Sequence, residues 1–118
     1  MTEASSGSVG PIVFSNETAR SQLVSEGVVV TFRSHERTVG DSWWRKSRTG
    51  EKEGNVHIKH VGEVDPSDSL LLSLYADDSG FDSTLAWKDA IRELNGGEMP
   101  DAGHLYIVSK GHGSVVGA

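Results

Sequence analysis

Seven of the chain's eleven lysines and arginines fall between Thr31 and His60: Arg33, Arg37, Arg45, Lys46, Arg48, Lys52 and Lys59. Only Glu36, Asp41, Glu51 and Glu53 oppose them, so the window carries +3. The rest of the chain holds four bases and thirteen acids, a charge of −9, and the whole is −6. His35, His57, His60, Trp43 and Trp44 lie in the same window. Cations and aromatic rings gathered into one quarter of an acidic protein point to an anionic ligand. Fields add locally, so a basic cleft attracts phosphate even where net charge repels it.

Thr31 and Arg33 alternate with Val30 and Phe32 and share one strand face. Arg33 either grips a phosphate or base edge bidentately or is a structural arginine paired with a carboxylate such as Glu63. Neighbours on a strand face opposite ways, so one of Trp43 and Trp44 belongs to the core. The other either stacks on a nucleobase, a contact of roughly 1–3 kcal/mol, or packs under a helix. Arg45, Lys46, Arg48, Lys52 and Lys59 line a hairpin that either tracks a phosphate backbone or is solvated and balanced by Glu51 and Glu53. His57 shares a face with Lys59 and is placed to hydrogen-bond a ligand. The candidate ligand-binding set is Thr31, Arg33, His35, Arg37, Trp44, Arg45, Lys46, His57 and Lys59, with Arg33, Arg45 and Lys59 expected in one positive cleft. His57 and His60 are expected on opposite strand faces and no cysteine is present, so no metal site is expected. No cofactor is expected either, since no P-loop, G-x-S-x-G or dinucleotide fingerprint occurs.

The elements that must position these residues follow from periodicity. Pro11–Phe14 reads as a short strand. Ser15 or Asn16 caps a helix to Glu26 that Gly27 closes. Val28–Arg33 is β-branched and apolar, a strand. Ser42–Ser47 and Asn55–Val64 are strands around a glycine-bearing hairpin loop, with Val56, Ile58, His60 and Gly62 on one face of the second. Leu70–Tyr75 reads as a helical turn. Ser83 caps a helix to Asn95, whose stripe of Trp87, Ala90, Ile91 and Leu94 has core spacing. His104–Lys110 is the last strand. One domain over residues 11–110 is expected, between flexible tails at 1–10 and 111–118. No apolar run approaches the roughly 20 residues of a membrane span, and no signal-peptide pattern opens the chain. The expectation is a cytoplasmic, monomeric protein with no membrane association. The acid excess is either ordinary or an adaptation to high internal salt.

This order of elements resembles the ASCH domain, a PUA-like β-barrel. Arg33 fits the Arg of the family's G-x-K-x-x-E-x-R motif, Val39-Gly40-Asp41 its V-G-D turn and Val61-Gly62-Glu63-Val64 its V-G-x-V strand end. Phe81–Leu94 fits its helix and Leu105–Val108 its last strand. The resemblance covers about Ile12 to Lys110. It implies an α+β fold, a small mixed β-barrel with two flanking α-helices, that binds RNA or a modified nucleotide, single-stranded or through a modified base. Small amidohydrolases of the family cleave acetylated cytidine with the motif Lys, a Thr and a later Glu. Here Thr31 holds the Thr position, but Val28 stands where the Lys should be. An amidohydrolase acting on an acylated nucleoside therefore needs Lys46 or Lys59 to enter the site, with Thr31 and Lys59 as its catalytic residues. A third possibility is a protein-interaction module presenting its acidic face.

Valine can neither take a proton nor attack an amide. The purified protein is therefore expected to release no acetate from acetylated cytidine. Turnover that disappears in Lys46→Ala or Lys59→Ala would show that the reactive amine had moved.

Overall fold

The computed structural model describes residues 10–111, so most of both expected tails lies outside the described residues. The elements run β1 (Ile12–Val13), α1 (Glu17–Glu26), β2 (Val28–Arg33), β3 (Gly40–Arg45), β4 (Gly54–Val64), α2 (Ser69–Ser73), a 3₁₀ turn (Ala76–Asp78), α3 (Thr84–Leu94) and β5 (Gly103–Lys110). Local chemistry explains the ends of the helices. The Asn16 side chain accepts from the Ala19 amide at 3.1 Å, and Gly27 closes α1 at φ 81°. Ser83 accepts from the Ala86 amide at 3.1 Å to open α3. Asp68 caps α2 in the same way through Leu71. Side-chain oxygens at these positions satisfy amides that have no partner inside the helix.

The five strands form one curled, mixed sheet in the order β1-β3-β4-β5-β2, and the fold is α+β. Only β1 and β3 are parallel. The sheet forms a half-barrel with three α-helices, one more than the two expected, because the Leu70 region closes a full helical turn. Each face carries its own core. On the inner face Val29, Trp44, Val56, Ile58, Tyr106 and Val108 pack with Ile12, Phe14 and the α1 residues Ala19 and Leu23. On the outer face Val30, Phe32, Val64 and Leu105 pack with Leu72, Ala76, Trp87 and Ile91. Two covered faces explain why β2 reads as a continuous apolar run rather than an alternating one. Gly103 sits where a Cβ would come within 2.2 Å of the Phe32 ring, so β5 passes that ring only as glycine.

Besides the third helix and a β3 that spans Gly40–Arg45 instead of Ser42–Ser47, two features depart from the sequence expectation. A register shift between His60 and Gly62 breaks the alternation of β4. Gly62 then faces Leu105, and Glu63 comes opposite His104. An extra residue in one strand turns every later side chain to the other face. The second departure is Leu94, which is 63% exposed although it completes the α3 stripe. Trp87 and Ile91 are buried, and Leu94 lies at the rim of a cavity beyond them.

These positions separate core from rim. Ile91→Ala is expected to cost about 2–5 kcal/mol, as large-to-small core changes do. Leu94→Ala is expected to stay within about 0.5–1 kcal/mol, the surface range. Urea denaturation of both variants checks this; equal losses would place Leu94 in the core.

Candidate ligand-binding site

The half-barrel leaves a seam between its two edge strands, β1 and β2. Arg33, at the end of β2, crosses it. Its Nη2 donates to the Val13 carbonyl at 3.0 Å, and its guanidinium lies 5.1 Å from the centre of the Phe14 ring. Its Nε is buried and has no hydrogen-bond partner. Burial, and next the charge of Arg37, pull the guanidinium below its ordinary value to about 10; the Tyr106 side chain acts the other way. Arg37 is itself lowered by burial. Its amide donates to the Tyr106 hydroxyl at 2.8 Å, its Nη2 to the Gly10 carbonyl at 2.8 Å and its Nε to the Thr38 carbonyl at 3.1 Å.

Over the seam lies a cavity of about 250 Å³. Thr31 and Arg33 line it from β2, Ser34 from just beyond that strand and Phe14 from the opposite edge; Phe81 and Trp87 add aromatic walls from the helical side. At about 30 Å³ per water it has room for roughly eight waters, a space suited to a single heterocycle. It borders an edge strand, and edge strands present a row of backbone donors and acceptors that no neighbouring strand uses.

The register adds a second cluster beside Arg33. Thr31 pairs with Tyr106, and Tyr106 with His60; Arg33 pairs with His104, and His104 with Glu63. His60 Nε2 and His104 Nδ1 are 3.0 Å apart. The His60 ring also lies 5.1 Å from the Tyr106 ring. One imidazole must present a lone pair to the other for that contact to be a hydrogen bond. His104, Tyr106, Phe14, Phe81 and Trp87 were not among the expected site residues. Their strand and helix positions carried the signal only of core packing, and the contacts that group them span up to 69 residues of sequence.

The basic window does not fold into one cleft. Thr31, Arg33 and Arg37 come together at the seam, and His35 is an exposed loop residue. Trp44 is core, at 6% exposure, edge-on to Phe14 at 6.1 Å. Trp43 is the outward ring, and the Arg45 guanidinium stacks 5.4 Å from its centre. Arg45 and Lys59 lie on the outer side of the sheet, opposite the face of Arg33. They are also apart from each other. Six residues of β4 separate Lys59 from the position opposite Arg45, roughly 20 Å at 3.3 Å per residue. His57 shares that outer side and meets Asp41 at 3.0 Å. Lys46 lines a separate open groove of about 760 Å³ with Arg20, Glu17, Glu53 and Lys110. Neither Lys46 nor Lys59 lines the Thr31–Arg33 cavity. Among the described residues no group of three or more His, Asp or Glu is placed to hold a metal ion, and no helix is long and apolar enough to cross a membrane. No family model, curated protein or solved structure matches the chain.

The lowered Arg33 value has a consequence for stability. A folded guanidinium titrating at about 10, below its ordinary value, means that the unfolded chain holds more protons between those two values. This residue's contribution to stability therefore rises with pH across that window. Arg33→Met keeps the stem over Phe14 and removes the charge. Its stability relative to wild type is expected to fall as pH rises from 9 to 11 in paired denaturation curves. A constant difference would mean that Arg33 is solvated like a surface arginine.

Proposed function

We propose that the protein is a binding module for RNA or a modified nucleotide, taking one base into the seam cavity beside Arg33. The observation that carries this is Arg33, which lines an aromatic-walled cavity and has a buried, unpartnered Nε. A buried donor without a partner is unfavourable, and a ligand carbonyl, ring nitrogen or phosphate oxygen would satisfy it. Phe14, Phe81 and Trp87 offer π-faces or edges for a heterocycle. The unpaired edge of β2 and the Thr31 and Ser34 hydroxyls offer donors and acceptors for its rim. On this proposal the chain is a divergent relative of the ASCH domain, with Gly40 and Gly62 of the two quoted motifs at a strand start and at the β4 register shift. The hydrolase alternative loses support, because both candidate lysines lie away from Thr31.

Trp87 in the cavity wall supplies the readout. Titration with short single-stranded RNA and with free nucleosides, acetylated cytidine included, is expected to quench intrinsic fluorescence. Arg33→Met should weaken binding by about tenfold or more, equivalent to 1.4 kcal/mol. Lys59→Ala should leave it within about twofold, since Lys59 faces away from the seam. Loss of binding in Lys59→Ala with retention in Arg33→Met would place the ligand on the outer face and overturn the proposal.

A further inference from the structure

The neighbourhood of Arg33 and Arg37 is unusual in what it lacks. Arg33 feels the charge of Arg37, and among the described residues neither forms an ion pair. Their hydrogen bonds go to neutral backbone carbonyls: Val13 for Arg33, Thr38 and Gly10 for Arg37. Carbonyls satisfy donors but cancel no charge. The register brings one carboxylate, Glu63, opposite His104, yet it remains exposed and pairs with neither arginine. Two cations held together in a partly desolvated corner repel each other, and a shared anion relieves both the repulsion and the desolvation.

The donors that remain define the anion. Arg33 Nη1 and Arg37 Nη1 stay clear of the bonds described above. Guanidinium forks bind phosphate oxygens through parallel N–H groups. The bonded His60–His104 pair stands beside Arg33, with His60 Nδ1 and His104 Nε2 outside that bond. Charge then selects between kinds of phosphate. A strand interior carries one negative charge per phosphate. A terminal phosphate carries about −1.5 to −2 at neutral pH, which matches two guanidinium ions.

We propose that Arg33 and Arg37 form a phosphomonoester subsite at the mouth of the seam cavity, so that the ligand is a nucleotide ending in a phosphate rather than the interior of a strand. This rests on the nucleotide-binding function proposed above. The cavity takes the base, and the two arginines take the terminal phosphate beside it.

Calorimetric titration of the full chain tests it with a defined panel. The probes are the four ribonucleoside 5′-monophosphates, the four nucleosides, inorganic phosphate, and a short RNA with hydroxyl groups at both ends. At least one monophosphate is expected to bind about tenfold or more tightly than its nucleoside, a difference of 1.4 kcal/mol. Inorganic phosphate should compete with it. Arg37→Ala should abolish that preference, read as the ratio of monophosphate to nucleoside affinity. Arg37 carries the test because Arg33 also bridges the seam. Arg37→Gln gives a second, better-packed variant should the alanine protein melt early. Nucleosides or hydroxyl-ended RNA binding as tightly as the monophosphates would overturn the subsite and leave the base-binding function standing. So would an unchanged preference in both Arg37 variants. Binding of inorganic phosphate alone, with no added affinity from any base, would also overturn this assignment. No binding by any member of the panel would overturn both the subsite and the function beneath it.

Discussion

The structure depends on how a five-stranded sheet that does not close is held at its seam. Arg33 spans that gap, with its head on the Val13 carbonyl and its plane against Phe14. A hydrogen bond from a charged donor is worth roughly 1.5–3 kcal/mol, and an arginine over a ring adds about 0.5–2 kcal/mol according to its solvation. Against these stand the desolvation of the guanidinium and the nearness of Arg37, which together lower its proton affinity. The same residue thus joins two edges of the fold and retains an unsatisfied donor. Closing the seam with an apolar pair would remove both the strain and the opportunity to bind.

The two cores divide the labour around that seam. The inner core, with Leu23, Val29, Ile58 and Val108 fully buried, holds the strands in register and anchors α1. The outer core, through Trp87, Ile91 and Leu72, fixes α3 and α2 against β2 and β5. The cavity lies where neither core is complete. It draws Phe14 from the inner core and Trp87 and Ile91 from the outer one. Cavity walls that belong to two packed layers are rigid, and a site on rigid elements holds a planar ligand with little loss of entropy.

The β4 register shift decides the chemistry at the mouth. With regular alternation Glu63 would point to the outer face. The extra residue brings Glu63 opposite His104, one strand away from Arg33. Strand bulges commonly re-aim side chains near binding sites.

The sequence by itself determined the elements. A cap at Ser15 or Asn16 and Gly27 bounded α1, Ser83 opened α3, and the apolar run of β2 and the alternation of Val56 and Ile58 marked strands, because caps, turns and periodicity are local physics. It also marked Thr31, Arg33 and Arg37 as a candidate site. Tertiary structure decided the rest. Side-chain period placed Trp43 and Trp44 on opposite faces, but only the packing of Phe14 and Ile12 showed which one was core. The basic window looked like one cleft because charge was counted along the chain. Strand pleat sent Arg45 and Lys59 to the other side of the sheet, and Lys46 to a separate groove. His104 and Tyr106 met His60, Arg33 and Arg37 only through the pairing of β5 with its two neighbours. Local sequence governs torsions and caps within a few residues, whereas contacts across 40 to 70 residues form only when the whole sheet buries its two faces together.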